Sequence, residues 1–183
     1  MFTIHDLKVL FADSSYEYLL LKLSRWKKKG LLISLKRGVY VFPEITLDEF
    51  EISSLLLKPS YISLESALSH YSLIPEVSAE VTAVTSKNTH HYRIGKTRYH
   101  FHHVRQELFT GFRSLDDEVF IAVPEKALLD YCYLRHPGSD DMIFERFNRE
   151  KAVTLDISLL KQMAALYPPY VQHFVIHLLD VIT

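Results

Sequence analysis

Residues 14–42 constrain the fold most, because a helix signal is followed directly by a hairpin signal. Ser14 or Ser15 can cap a helix that runs to about Lys29, and Gly30 is the expected stop. The predicted buried face of this helix consists of Tyr16, Leu19, Leu20, Leu23 and Trp26. Two apolar runs, 32–35 and 39–42, then flank Lys36-Arg37-Gly38, which predicts a β-hairpin with a basic tip. Thr3 can cap a shorter helix over 4–11.

The charge of the chain is unevenly distributed. Residues 1–43 hold eight Lys/Arg and three Asp/Glu, whereas residues 44–183 hold 13 and 19. The net charge of −1 therefore hides a basic N-terminal segment on an acidic remainder. Such asymmetry is typical of nucleic-acid binding at one end of a chain, although a solvated helix face gives the same pattern.

Two helices followed by a basic-tipped hairpin predict a winged helix-turn-helix domain over 1–43. The second helix of such a unit fits the major groove, and the hairpin tip reaches the neighbouring phosphates. We assign base reading to Ser15, Tyr18 and Lys22, although Tyr18 could equally pack against the hairpin. The residues assigned to phosphate contacts are Arg25, Lys29, Lys36 and Arg37. Small helix-hairpin units also serve as protein-docking modules, so this alternative stays open.

Residues 44–183 predict a mixed α/β C-terminal domain with a small, largely antiparallel sheet and C-terminal helices, which makes the whole chain α+β. Helices are predicted within 44–60, at 64–71 with Ser63 as cap, and at 124–135, 140–150, 156–167 and 169–181. Strands are predicted at 81–85, 89–94, 97–104 and 119–123. A single cysteine, Cys132, no secretory signal and no long apolar run together predict a cytoplasmic protein without an internal disulfide.

Several short motifs follow one another along residues 3–135. They are Leu35-Lys36-Arg37-Gly38-Val39-Tyr40, Tyr61-Ile62-Ser63-Leu64-Glu65-Ser66-Ala67-Leu68, Leu73-Ile74-Pro75-Glu76, Thr82-Ala83-Val84-Thr85, Phe109-Thr110-Gly111-Phe112 and Ala122-Val123-Pro124-Glu125-Lys126-Ala127-Leu128-Leu129-Asp130. As an ordered set they resemble the AbiEi antitoxin family of bacterial type IV toxin–antitoxin systems. Residues 136–183 match nothing beyond generic helices.

This resemblance implies a transcriptional regulator. Its winged helix-turn-helix domain would bind inverted repeats in its own promoter and repress the operon. The C-terminal domain would supply antitoxin activity against a nucleotidyltransferase-like toxin encoded next door, without requiring a stable complex. The chain is shorter than the larger members of the family, and a solo regulator without a toxin partner is the alternative.

The polar residues of the C-terminal motifs have two interpretations. Lys126 and Asp130 are spaced i,i+4 and can pair on the helix surface, which is a structural role. Alternatively, Glu65, Glu125, Lys126 and Asp130 form a polar groove that touches a partner or DNA. The structural role is the favoured interpretation.

Five of the ten histidines lie between residues 90 and 103. A hairpin that turns at Gly95-Lys96 would place His91 opposite His100, so two or three imidazoles could meet a metal. Residues 86–106 contain no carboxylate, however, and the spacing fits no zinc motif. We therefore predict no metal, no cofactor and no enzyme activity, and treat a polar strand face as the better interpretation. The cations interleaved there are candidates for auxiliary nucleic-acid contacts: Arg93, Lys96, Arg98 and Arg105.

Overall fold

The computed structural model describes residues 2–75, 80–116, 118–135 and 147–182. The chain divides into two compact units, an N-terminal unit, Met1–Asp48, and a C-terminal unit, Glu49–Thr183. The division expected from the sequence falls slightly earlier, after Pro43. No helix among the described residues has both the length and the apolar character needed to cross a membrane.

The N-terminal unit contains two helices and a three-stranded antiparallel sheet. Its elements are β1 (Phe2–Thr3), α1 (Ile4–Leu10), α2 (Tyr16–Lys28), β2 (Ile33–Lys36) and β3 (Val39–Val41). The sheet order is β1-β3-β2, so the residues before α1 add a strand to the predicted hairpin. Both helices begin where the capping residues predict, and Gly30 follows α2 with φ +71°.

The core of the N-terminal unit is small. One cluster of buried side chains consists of Leu7, Leu19, Leu23 and Leu32, and Phe2, Ile4, Trp26 and Tyr40 pack against it. The prediction that Tyr16 and Leu20 belong to this core is wrong, since 51% and 43% of these side chains are exposed. A core this small covers only a narrow stripe of α2, and Tyr16 and Leu20 lie beside that stripe.

The C-terminal unit alternates helices and strands. In chain order its elements are α3 (Glu49–Leu56), β4 (Ser60–Ile62), α4 (Leu64–His70), β5 (Glu80–Thr85), β6 (His90–Ile94), β7 (Thr97–His103), a short 3-10 helix (Gln106–Leu108), β8 (Phe112–Asp116), β9 (Val119–Ala122), α5 (Pro124–Arg135), α6 (Arg149–Ala152), α7 (Ile157–Ala164) and α8 (Pro169–Ile182). The mixed α+β class is thus confirmed. Most of the helix predicted at 140–150 lies outside the described residues.

The sheet of the C-terminal unit is larger and more mixed than expected. It has six strands in the order β6-β7-β5-β4-β9-β8. The pairs β5–β7 and β4–β9 are parallel, and the other three pairs are antiparallel. The expected small, largely antiparallel sheet is corrected to a larger, mixed one. It is mixed because β5 and β4 each have one parallel neighbour. It is larger than expected because β4 and β8 carry no strand signal strong enough to be recognised. Both segments form strands because they pair with neighbouring strands, β4 with β5 and β9, and β8 with β9.

Candidate nucleic-acid interface

The N-terminus of α2 is fixed by a side-chain cap. Ser15 precedes the helix, and its Oγ accepts a hydrogen bond from the backbone N–H of Tyr18 at 3.2 Å. The cap satisfies one of the backbone donors that a helix start leaves unpaired. The Tyr18 side chain is 48% exposed. Ser15 is also exposed, but in the structure its hydroxyl serves the helix start.

Lys22 lies within an aromatic cluster. Its Nζ is 5.2 Å from the ring centroid of Phe11, 5.5 Å from that of Tyr18 and 5.4 Å from that of Trp26. These distances are those of cation–π contacts, and the side chain is half-buried. The sequence-based prediction assigned Lys22 to base reading. It did not include this aromatic environment, because Phe11 belongs to the turn before α2 and not to the helix itself.

The remaining cations of α2 are available to a ligand. Arg25 and Lys29 are exposed, as are the adjacent Lys27 and Lys28, and none of the four forms an ion pair with a described residue. Arg25, Lys27 and Lys28 lie in the last turn of α2 and Lys29 is its C-terminal cap, and positive charge at this end also suits the helix dipole. A ligand with several negative charges would therefore displace only water and counterions here.

The hairpin tip adds a second cationic position. Arg37 is exposed and Lys36 is half-buried at the end of β2. The tight turn uses Gly38 at φ +83°, a conformation that side chains rarely adopt. Ser34 Oγ donates to the Lys36 carbonyl at 3.1 Å where the register of β2 and β3 shifts. The tip therefore has a defined backbone from which Arg37 projects.

The four auxiliary cations belong to the C-terminal unit. Arg93 and Arg98 are paired across β6 and β7, Lys96 lies in the turn between these strands, and Arg105 follows β7. Arg98 forms an ion pair with Glu80 on β5, whereas Arg93 Nε donates to the Gly95 carbonyl at 3.3 Å. All four side chains are exposed. Only part of this set is thus committed to partners within the protein.

The histidine hairpin forms as the sequence predicts. His91 lies opposite His100, and their Nδ1 atoms are 3.0 Å apart. His100 Nε2 is 3.4 Å from Glu80 Oε2, a carboxylate that comes from β5 and so lies outside residues 86–106. Within the described ranges, no three His, Cys, Asp or Glu side chains are grouped so that they could hold a metal.

His102 should make stability fall at acidic pH. Burial and the charge of Arg135 lower the pKa of His102 to about 4, against the opposing charge of Glu65. The pKa of the nearby His100 is also lowered, mainly by burial, and His91 adds a further positive charge when protonated. His102 therefore takes up a proton at a higher pH in the unfolded chain than in the folded chain. The free energy of unfolding falls as the pH falls from about 6.5 towards 4.

We expect His102→Gln to remove much of this loss. The measurement is the urea midpoint of unfolding at about pH 7 and about pH 4.5, compared with wild type. His90→Gln is the matched control, since His90 is exposed on the same hairpin. An equal drop in midpoint for wild type and His102→Gln would contradict the prediction.

The Lys126–Asp130 pair forms as the favoured structural interpretation predicts, but it belongs to a buried network, and the alternative of a polar groove is wrong for these two residues. Lys126 and Asp130 are 1% and 0% exposed, and Lys126 Nζ is 2.6 Å from Asp130 Oδ1. Lys126 Nζ also donates to the Leu108 carbonyl at 2.7 Å. The prediction that this pair lies on the helix surface is therefore wrong, because the helix that carries it is covered by other elements on that side. Glu65 is separate from the network and pairs with Arg135 at 2.7 Å.

Three hydroxyl groups complete the network around Asp130. Ser63 Oγ donates to Oδ2 at 2.8 Å, Tyr61 Oη donates to Oδ2 at 3.0 Å, and Tyr167 Oη donates to Oδ1 at 2.8 Å. Ser63 precedes α4 as predicted but makes no side-chain cap, because its hydroxyl is used here. Burial raises the pKa of both tyrosines and lowers that of Lys126. The network joins β4, α5 and the segment between α7 and α8.

Glu125 also does not line a polar groove. It is 5% exposed, and its Oε1 accepts a hydrogen bond from the Asp156 backbone N–H at 2.7 Å. Cys132 is buried, as expected for a core residue. None of these side chains offers a surface to a partner.

These two units make the chain a mixed α+β protein whose N-terminal unit presents exposed cations on a helix and a hairpin tip. No protein-family model matches the chain, and no curated protein matches its sequence.

Proposed function

We propose that the chain is a DNA-binding antitoxin and transcriptional autorepressor, with the N-terminal unit acting as a winged helix-turn-helix. The observation that carries the proposal is the set of exposed cations on α2 and on the hairpin tip, which have no anionic partner in the described part of the chain: Arg25, Lys27, Lys28, Lys29 and Arg37. A helix beside a basic-tipped hairpin has the dimensions to read a major groove and contact the flanking phosphates.

The side chains take three roles in this proposal. Ser15 and Tyr18 lie at the N-terminus of α2, the end that reaches base edges in this class of domain. Arg25, Lys29 and Arg37 contact phosphates and set the orientation. Lys22 is held by its aromatic neighbours, so it acts on DNA chiefly by shaping that surface.

The antitoxin part of the proposal rests on the family resemblance. The C-terminal unit would counteract a nucleotidyltransferase-like toxin, and inverted repeats upstream of the gene would be the operator. A single N-terminal unit covers one half-site, so two copies on one inverted repeat are geometrically sensible. A solo regulator would share the DNA-binding part and lack the toxin.

The test is a competition between two duplexes. Fluorescence anisotropy would compare DNA from upstream of the gene with a scrambled duplex of the same length, over a range of salt. We expect the upstream duplex to bind at least about tenfold more tightly, and both affinities to fall as salt rises, because bound cations release condensed counterions. Equal, salt-insensitive binding of the two duplexes would contradict the proposal.

A second candidate function is a protein-docking module. The observation in its favour is an apolar cavity of about 490 Å³ in the N-terminal unit, lined by Phe2, Leu7, Leu10, Trp26, Leu31, Leu32, Phe42 and Glu44. Leu10 is 76% exposed at its edge. Tight binding of one protein together with no duplex binding would favour this function over DNA recognition.

A further inference from the structure

A second cavity lies within the C-terminal unit, apart from the cations discussed above. It has a volume of about 500 Å³ and is formed where α3, β4, β8 and β9 meet. Its lining residues are Ser54, Lys58, Pro59, Ser60, Phe109, Phe112, Glu118 and Phe120. Cavities of this size, largely apolar with a few polar groups, are typical of small-molecule sites.

The inner wall of the cavity is aromatic. The ring centroids of Phe109 and Phe112 are 5.3 Å apart, and those of Phe112 and Phe120 are 5.8 Å apart in an edge-to-face arrangement. Phe112 also stacks on Tyr61 at 4.6 Å, and the hydroxyl of Tyr61 is anchored on Asp130. Phe120 is 40% exposed. Rings fixed in this way can receive another aromatic ring without rearrangement.

The rim of the cavity is dipolar. Lys58 Nζ and Glu118 Oε2 are 2.6 Å apart, and both side chains are more than half exposed. An exposed ion pair of this kind contributes little to stability. Lys58 and Glu118 can therefore separate, and each can pair with an oppositely charged group of a ligand. The rim therefore offers one cation and one anion side by side.

Two hydroxyl oxygens stand at the same cavity. Ser54 Oγ donates its hydrogen to the Glu51 carbonyl at 2.9 Å, and Ser60 Oγ donates to the Leu57 carbonyl at 2.5 Å. With their hydrogens committed, these oxygens are left as acceptors. The cavity thus favours a ligand that donates hydrogen bonds near its charged end.

We propose that this cavity binds a free aromatic α-amino acid. The ring of the ligand packs against Phe109, Phe112 and Phe120. Its carboxylate pairs with Lys58, and its ammonium pairs with Glu118 and donates to the serine oxygens. A nucleotide fits less well, because the Glu118 carboxylate repels a phosphate. A simple hydrocarbon would leave the rim unused.

The test is calorimetric titration of the full chain with phenylalanine, tyrosine and tryptophan. At least one should bind with a Kd of about 10 µM to 1 mM, the range expected for a ligand of so few atoms. Phenethylamine lacks the carboxylate, 3-phenylpropanoate lacks the ammonium and leucine lacks the ring. Each of these three compounds should bind at least about fivefold more weakly than phenylalanine.

Three variants locate the site. Lys58→Met, Glu118→Gln and Phe120→Ala change exposed side chains, so the fold should persist, and each should weaken binding at least about fivefold. Lys151→Met changes an exposed lysine elsewhere and should leave the Kd unchanged.

Three outcomes would overturn the inference. The first is no binding of any of the three amino acids up to about 10 mM by the folded protein. The second is equal binding of phenethylamine or 3-phenylpropanoate. The third is tighter binding of adenosine monophosphate, which would indicate a nucleotide site. None of these measurements involves duplex DNA, so they leave the proposed function untouched.

Discussion

Replacing Asp130 with leucine is expected to lower the free energy of unfolding by about 3–5 kcal/mol, because it leaves the ammonium of Lys126 buried without its counter-charge. The change also removes the acceptor for Tyr61, Ser63 and Tyr167. Urea denaturation followed by circular dichroism measures the effect. Lys126→Met should be costly for the same reason, since it leaves the carboxylate buried and unpaired.

The double variant Lys126→Met/Asp130→Leu separates the pair from the surrounding core. Its loss should be about 1–3 kcal/mol smaller than the sum of the two single losses, since neither charge is then left unpaired. Glu118→Gln is the matched control: it breaks an ion pair of the same 2.6 Å length at an exposed site, and the urea midpoint should not change. Strictly additive losses would show that the two charges do not depend on each other.

Reversing two exposed cations, Arg25→Glu with Arg37→Glu, is expected to weaken binding to the upstream duplex by about 100-fold. Each substitution replaces a phosphate contact by repulsion. The slope of log Kd against log salt should fall by about two, one for each contact removed. Both side chains are exposed and have no ion pair with a described residue, so the fold of the N-terminal unit should be unaffected.

Lys151→Glu with Lys161→Glu is the matched control for this variant. It changes the net charge by the same amount, and both lysines are exposed in the C-terminal unit. Its affinity should stay within about twofold of wild type, because long-range charge effects are screened at physiological salt. Equal losses in the two double variants would indicate that overall charge, and not a defined surface, governs binding.

The parts of the fold that local chemistry decides could be read from the sequence. Thr3 forms a capping box with Asp6, Ser15 caps α2, and Gly30 and Gly38 adopt the positive φ angles that their turns need. Each of these signals acts between residues that are close in the chain. The same holds for Pro124, which begins α5, and for the pairing of His91 with His100.

The burial of Lys126 and Asp130 could not be read in this way. Their i,i+4 spacing is the same on a surface and in a core, and the difference is made by residues distant in the chain, such as Tyr61 and Tyr167. The strand β4 was missed for a related reason. It has only three residues, and its place depends on pairing with β5 on one side and β9 on the other. Phe11 was missed as a neighbour of Lys22 because it lies in the turn before α2, outside the helical spacing on which the prediction rested.

The position of β4 also bears on how the chain is made. The strands of the N-terminal unit lie between Phe2 and Val41, so all its pairing partners are synthesised before the strands of the C-terminal unit. In contrast, Ile62 of β4 pairs with Ile121 of β9, so one edge of β4 lacks this partner until β9 has been synthesised. Non-local pairing of this kind is slow and exposes strand edges to aggregation. During translation, the basic end of the protein can therefore be complete while the sheet that follows it is still half built.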